Sequence, residues 1–599
     1  MIAPRPHTNG RRQGPRAATV PESETAPQAR PSRLRGRAES QAATVTGRRG
    51  PRKVVGEATR DREVRGVSAT VAPRLDESLR QVVRGFRAFS LTTHPRELAQ
   101  MLTYAVPRHG LSPAAAIIGA ALTWGDRLAL TDQWGAMSYR ELGAATVRLA
   151  SGFVSSGVRP GTRVAIMARD DRHLLEALGA ASLCGAAIAM LNPRVGADDL
   201  AATLAAERIR VVVHTPENAD RLVSFRGVRI STSAFAELAK RTDASRTPHH
   251  GRASRLVMLT GGTTAGPSAI HIRGGFRAAL PLLALAGGSG IRHGIPTLVC
   301  APLFHGYGLA CALLCLVAGS PLVTSSACRP GLGAQLDEGQ RSTGADPLTA
   351  QLDKGRTAPA WGPAMYDAIR HERVGVVIAV PAQLRSLARE LDATPRDPDE
   401  RVTAVISGAD RLDPETVAVF LRRWGPVVTN YYGTTETGTV TMITGADLAA
   451  RPASLGRPVA GSKLRIVDER GDELPRGERG RIQLASLLSS VGDGWFTTSD
   501  VGWVDAEGYL YYTGRTGPKA RMGGEFVSPA AVQDVLASID GVAWARVSTE
   551  ADALVGQRIV AEIGVREPVD EAALRNEVRR RLGPAAVPAR ITVRTPDPS

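Results

Sequence analysis

The chain has 599 residues, enough for more than one hydrophobic core, and an apolar fraction of 43% with 22% charged residues, as in an ordinary water-soluble protein. Aromatic residues make up only 4%, which argues against a nucleic-acid reader built on stacking platforms, and no nucleic-acid partner is expected. The net charge of +17 is concentrated at the N-terminus, where residues 1–75 carry +10 of it.

That N-terminal stretch, "RRQGPRAATVPESETAPQARPSRLRGRAESQAATVTGRRGPRK", mixes Pro, Gly, Ser and Arg with almost no large apolar residues. It cannot bury enough surface to offset the entropy of ordering, so a disordered basic tail is expected over 1–75. It also lacks the continuous apolar segment of a secretory signal. Next comes "LRQVVRGFRAFSLTTHPRELAQMLTYAV", whose apolar residues recur at helical spacing with basic residues between them. Such a helix either docks on the protein core or lies on a membrane surface, and docking is the commoner use. Peripheral membrane contact is the second expectation.

From Leu128 strands and helices alternate: "RVAIMA" at 163–168, a helix over 173–186, "AIAMLN" at 187–192, a helix over 199–207, and "IRVVVHT" at 209–215. Further buried strands are predicted at 297–301, 375–380, 402–407 and 427–432. This alternation predicts parallel strands with crossover helices, an α/β class. Ligands in open α/β sheets bind outside the carboxyl ends of the strands, so the residues just after each strand matter most. Residues 328–362 are rich in Gly and polar residues without periodicity and read as a surface insertion. A hairpin follows around "DAEG", and 516–599 read as a small α+β unit with helices at "SPAAVQDVLASI" and "DEAALRNEVRRRLG".

Of the five cysteines, Cys184, Cys300, Cys311 and Cys315 lie in apolar runs, and Cys328 does not. The spacing of Cys311 and Cys315 is that of one helix face rather than a zinc knuckle, so reduced, buried thiols and a cytoplasmic protein are expected. The longest apolar run, Leu309 to Ala318, is about half of the ~20 residues a bilayer span needs.

Three stretches carry chemistry. After the apolar "RLVML" comes "TGGTTAGPSA", whose glycines let the backbone curl around an anion and whose Thr260, Thr263 and Thr264 add hydroxyls. It is not a Walker loop, which would end in Gly-Lys-Ser/Thr. In "NYYGTTETG", Tyr432 offers a flat face for a purine, Thr434 and Thr435 offer hydroxyls for phosphate, and Glu436 offers a hard oxygen ligand for Mg²⁺. In "FTTSDVGWVDAEGYLYYTGR", Asp500 can accept from ribose hydroxyls and Arg515 can donate to sugar or phosphate.

In this order and spacing the three stretches resemble the adenylate-forming superfamily of acyl-CoA synthetases, peptide-synthetase adenylation domains and luciferases. "MGGEFVSPAAVQ", "APLFHGYG", "VISGADRLDPE" and "SLGRPVAGSKLRIVD…GERGRIQL" match as well, and the resemblance runs from about Leu79 to the C-terminus. It implies a large N-terminal α/β domain with parallel sheets, here 79–515, and a small α+β C-terminal lid domain, here 516–599. It also implies ATP, Mg²⁺ and coenzyme A: a carboxylate, expected to be a fatty acid, attacks the α-phosphate of ATP, and a thiol then displaces AMP from the acyl-adenylate.

The same resemblance gives the residues roles. The loop Thr260 to Ser268, with Thr260, Gly261, Gly262, Thr263 and Thr264, would hold the β- and γ-phosphates, Ser407, Gly408 and Ala409 would line the adenine site with Tyr432, and Gly433 and Thr434 would also bind the nucleotide. Thr435 would contact the α-phosphate, Glu436 and Thr263 would hold Mg²⁺, and Asp500 and Arg515 would bind ribose. His305 would sit by the acyl and thiol channel, and Gly517, Gly523, Gly524 and Glu525 would form the hinge and lid loop.

The sequence departs from the family pattern at three places. The phosphate loop has Gly261, Ala265 and Ser268 where the family has Ser, Gly and Lys, and the hinge position is Gly517 followed by Pro518. The chain stops at Ser599, where the family's closing lysine segment would begin, so the lid domain is expected to be truncated. Removing a preorganised cation from developing charge costs about 10² to 10³ in rate, so impaired adenylation is expected. Two alternatives accompany the acyl-CoA synthetase reading: a degenerate adenylate-binding protein with little turnover, and an acyl-AMP ligase that loads an acyl carrier protein.

Overall fold

The computed structural model describes residues 71, 80, 81, 83, 84, 101–240, 254–263, 266–272, 279–328, 361–490, 492, 494–516, 520–523 and 525–594, with side chains throughout except at 101, 102 and 259–281. The expected basic tail up to residue 70, the 329–360 part of the expected insertion, and the expected site residues Thr264, Gly517 and Gly524 lie outside them.

Two large sheets organise the chain. The six-stranded sheet runs Val228–Ser231, Val211–His214, Arg163–Met167, Ala187–Met190, Arg255–Thr263, Gly266–Ile272, with every neighbour parallel except the last pair. The strand Val211–His214 is buried along its whole length, as expected of a parallel strand covered by helices on both faces. Helices Arg172–Leu183 and Ala197–Ala206 supply crossovers; Asp171 starts the first by accepting from His173 N at 3.0 Å.

The larger sheet has thirteen strands and is mixed. Its parallel block contains Thr297–Val299, Leu322–Thr324, Val376–Ala379, Ala404–Ser407 and Val428–Thr434. Val376–Ala379 and Ala404–Ser407 are buried at every position, which is why their sequences are unbroken apolar runs rather than alternating ones. The "DAEG" turn joins the antiparallel strands Phe496–Val504 and Leu510–Arg515, as the turn residues predict.

Most of the expected lid segment forms a core of its own. Strand Val542–Asp552 pairs antiparallel with Gly556–Val565, which pairs parallel with Arg590–Arg594. Helices Pro529–Ala537 and Glu571–Leu582 bury Val532, Leu536, Leu574 and Val578 against that sheet. A short hairpin, Ala520–Met522 with Glu525–Val527, precedes it.

Two details differ from the sequence reading. Thr260 to Thr263, read as a loop, continue the strand Arg255–Thr263, which turns back antiparallel on Gly266–Ile272 with Thr260 opposite Ser268. Glycine leaves the backbone free to extend as well as to curl, and the antiparallel partner decides between them. Cys328, expected outside apolar surroundings, is buried with its Sγ 4.0 Å from that of Cys300. All five cysteines are free and buried. Ahead of the main fold, Arg80, Gln81, Val83 and Arg84 are helical, and Gln81 Oε1 accepts from Ala460 N at 2.8 Å. Among the described residues no helix is long and apolar enough to cross a membrane.

Candidate active site

The parallel block places its strand ends side by side. Ser407, the last residue of its strand, is the register partner of Asn430 on the adjacent strand Val428–Thr434, and both are buried. Ser407 Oγ and Asn430 Oδ1 find no hydrogen-bond partner among the described residues. Such orphaned polar atoms in an interior are rare enough to mark a place where a polar ligand belongs. Beyond Ser407 the chain turns sharply: Ala409 has φ 69°, a left-handed conformation costly for a residue with a side chain. Gly408 lies under the Tyr307 ring, where a Cβ would come within 3.2 Å of it, and Tyr307 donates its hydroxyl hydrogen to Ile406 O at 3.2 Å.

The strand Val428–Thr434 then makes a tight turn into Gly438–Thr444. Thr434 and Thr437 bond hydroxyl to hydroxyl at 3.1 Å, and the Thr437 amide donates to Thr434 O at 3.3 Å. Gly433 is required by close approach, since a Cβ would lie 1.9 Å from the Gly438 carbonyl oxygen. This turn leaves Thr435 exposed and Glu436 half-buried at its tip, with the Glu436 carbonyl held by Ser490 N at 2.8 Å. Thr434, read as a phosphate hydroxyl, is thus engaged in building the turn that presents Thr435 and Glu436.

Tyr432, Asp500 and Arg515 come together from three strands. Tyr432 donates its hydroxyl hydrogen to Asp500 Oδ2 at 2.9 Å, and Arg515 Nε lies 3.6 Å from Asp500 Oδ1. Asp500 and Arg515 are direct cross-strand partners, which fixes their pairing. Burial and the Asp500 carboxylate hold the Tyr432 phenol well above its usual range, so it remains a donor.

The hairpin 520–527 reaches this site from the other side. Arg521 donates through Nη1 to the Ala409 carbonyl and lies 3.9 Å from Asp410 Oδ1. Its guanidinium and that of Arg515 flank the Phe526 ring at 4.4 and 4.5 Å. Glu525 is hydrogen-bonded by Asn192 and sits beside Arg194; burial nonetheless raises its pKa. His305 begins the helix Gly306–Ala318, its ring 4.4 Å from that of Phe304. Burial, with Arg521 and then Arg194 adding positive charge, pushes the imidazole down to about 4, so it is neutral at pH 7.

Ser407, Gly408, Ala409, Tyr432, Asp500 and Arg515 therefore share one region, and His305 and Glu525 both lie near Arg194. For Thr260, Gly261, Gly262 and Thr263 only the backbone is described. Asn430, Arg194 and Thr437 belong to the same neighbourhood and were not singled out from the sequence. Asn430 could have been, as the polar residue that opens "NYYGTTETG" at the end of a buried strand. Arg194 gave no such signal, because only the tertiary fold brings it to the site.

The profile of the AMP-binding enzyme family matches residues 119–334 and 352–488. The chain belongs to that family. Among curated relatives, the feruloyl-CoA synthase of an Amycolatopsis species is 27% identical over 423 residues, covering 68% of this chain and 79% of that protein. The 2-succinylbenzoate–CoA ligase of Enterococcus faecalis is 26% identical over 446 residues, covering 72% and 84%. Among solved structures, o-succinylbenzoate coenzyme A synthetase of Bacillus subtilis in complex with ATP and magnesium ion superposes with a TM-score of 0.56 at 22% identity, over 80% of this chain and 95% of that one. These AMP-binding relatives bear out the adenylate-forming resemblance and its acyl-CoA synthetase-like fold.

Proposed function

We propose that this AMP-binding enzyme activates a carboxylic acid with ATP and transfers the acyl group to the thiol of coenzyme A. A carboxylate oxygen of the acid bonds to the α-phosphorus of ATP and pyrophosphate leaves; the sulfur then bonds to the acyl carbon and AMP leaves. The observation that carries this reading is the pairing of Tyr432, Asp500 and Arg515 next to the orphaned Ser407 Oγ and Asn430 Oδ1. Those orphaned atoms suit a purine amine, the Asp500 carboxylate suits ribose hydroxyls, and the neighbouring arginines suit phosphate.

Glu436 and Thr263 would hold Mg²⁺, which would supply positive charge to the phosphates. Among the described residues no three His, Cys, Asp or Glu side chains gather in one metal-holding group. Glu436 would therefore share the cation with phosphate oxygens and water, the usual arrangement for Mg²⁺. Neutral His305 would sit along the path of the acyl group and thiol, and Thr435 would face the α-phosphate. The division into 79–515 and a lid from 516 is part of the same proposal.

The acid is aromatic or fatty. The relatives named for feruloyl and succinylbenzoate favour an aromatic acid, whereas the apolar helix after His305 supports a fatty one. An ATP–pyrophosphate exchange assay across aromatic and fatty acids, followed by product analysis with coenzyme A, tests both steps. Exchange above the acid-free background with thioester product is expected. Nucleotide binding without exchange would replace this reading by a degenerate adenylate binder, the outcome that Ser268 in place of the family's lysine favours. Transfer only to a carrier protein's phosphopantetheine arm would make the chain an acyl-AMP ligase.

A further inference from the structure

One arginine joins the end of the nucleotide-side loop to the C-terminal unit. Arg385, on the helix Pro381–Ala393, has a side chain only 13% exposed. Its Nη1 donates to Asp413 Oδ2 at 3.2 Å and to the Arg411 carbonyl at 3.5 Å, so it grips the stretch that runs on from Ala409 and Asp410. Asp413 in turn accepts from Thr416 N at 2.8 Å and starts the helix Pro414–Trp424. The opposite edge of the guanidinium faces the C-terminal unit, where Nε donates to the Leu554 carbonyl at 2.7 Å. Arg389, one helical turn on, reaches the Ala553 carbonyl at 3.4 Å.

The turn that these arginines hold is stiff. Asp552 Oδ1 accepts from both Leu554 N at 2.8 Å and Val555 N at 3.0 Å, and the Leu554 side chain is buried. The same turn is bonded onward to the hairpin that enters the site: Gly523 N donates to Val555 O at 3.0 Å, and Arg521 N donates to Gln557 Oε1 at 3.3 Å. A continuous set of hydrogen bonds therefore runs from Arg385 through 553–557 to 521–523 and on to the Ala409 carbonyl, with Asp410 paired to Arg521 at 3.9 Å. The guanidinium suits this role because its planar fork can face two elements at once, which an ammonium cannot do with fixed geometry.

We propose that Arg385 is a positioning residue: through the Ala553–Val555 turn it holds the 520–527 hairpin where Arg521 and Glu525 meet the nucleotide site. It touches none of the reacting groups itself. A charged hydrogen bond of this kind is worth enough that its loss shifts an opening equilibrium by about tenfold or more.

Arg385→Ala and Arg385→Lys in the full chain test the proposal by hydrogen exchange of the ligand-free protein. Arg385→Ala is expected to speed exchange at 520–527 and 552–557 by about tenfold or more, with the strands Val376–Ala379 and Ala404–Ser407 unchanged. Arg385→Lys, which keeps the charge but not the fork, is expected to fall between that variant and the parent. Unchanged exchange at 520–527 overturns the proposal, and so does an equal rise in the core strands, which would make Arg385 a general structural residue. A kinetic arm rests on the proposed acyl-CoA ligase reading: Arg385→Ala should slow acyl transfer about tenfold in the parent chain and have no further effect in Arg521→Ala. Additive losses overturn it. If the parent forms no thioester with any acid, the ligase reading fails and the exchange arm still judges Arg385.

Discussion

The parallel sheets and the seam between the C-terminal unit and the rest of the chain are held by different physics. The sheets are closed by apolar burial: Phe420, Leu384, Val377 and Ile406 are fully enclosed between strands and helices. The seam relies on carbonyls, arginines and one glycine: Arg385 with Leu554, Arg521 with Ala409, Glu525 with Asn192, and Gly196 against Arg581. Apolar burial is cooperative and non-directional, so damage there threatens the whole fold. Directional polar contacts at a seam set orientation instead, and losing one should retune the site while leaving the sheets intact.

The largest effect is expected in the sheets. Phe420→Ala, on the helix Pro414–Trp424, empties the space beside Trp424, whose ring stacks on it at 5.6 Å. It should cost about 3–5 kcal/mol of stability, measured by denaturant unfolding. A loss below about 1 kcal/mol would contradict the close packing inferred here.

At the site, Asp500→Ala removes the partner of both Tyr432 and Arg515. ATP affinity should fall by about 2 kcal/mol, roughly thirtyfold. Calorimetric titration with ATP checks this, and unaltered affinity would remove Asp500 from the proposed ribose contact.

Gly196→Ala probes the seam itself. The glycine has φ −59°, which any residue tolerates, but a Cβ would lie 1.7 Å from the Arg581 carbonyl oxygen at the end of the helix Glu571–Leu582. The expected cost is about 1–2 kcal/mol, confined to the contact between these elements. Faster hydrogen exchange at 571–583 with unchanged exchange at 376–379 would show that confinement; a uniform rise would erase the distinction between seam and sheet.

The remaining effects concern pH and have opposite signs at Glu176 and at His305. Burial pushes the Glu176 carboxyl from 4.5 up to about 7, with His173 and Arg172 opposing, so between those values the folded chain keeps a proton that the unfolded chain has lost. Its contribution is present below pH 4.5 and declines as pH rises toward 7. Burial pushes His305 from 6.5 down to about 4, so its contribution is present above pH 6.5 and declines as pH falls toward 4. Glu176→Gln should remove the first decline and His305→Gln the second, each changing the slope by at most about 1.4 kcal/mol per pH unit. Unfolding curves from pH 4 to 8 would reveal either slope, and identical slopes in parent and variants would refute the assignment.

Much of this molecule was legible as sequence because its signals are local. Unbroken runs such as "VVIA" and "AVIS" can satisfy their burial only inside a covered parallel sheet, and the ends of those strands point to the site. "NYYGTTETG" and "TSDVGW" were readable because Tyr432, Asp500 and Glu436 lie on short pieces whose geometry comes from neighbouring residues. The loop "TGGTTAGPSA" was read less well: its glycines allow a curl or an extension, and pairing with Gly266–Ile272 selects extension up to Thr263.

The sequence by itself determined the family, the order of the elements and the residues that flank the strand ends, since these follow from periodicity and motif. Tertiary structure alone decided that Arg521 reaches Ala409, that Arg194 stands near both His305 and Glu525, and that Arg385 bonds to Leu554. An arginine in a polar stretch carries no local mark of its partner, because its side chain is long, charged and at home in water. Only when the fold encloses it does desolvation make the choice of partner specific.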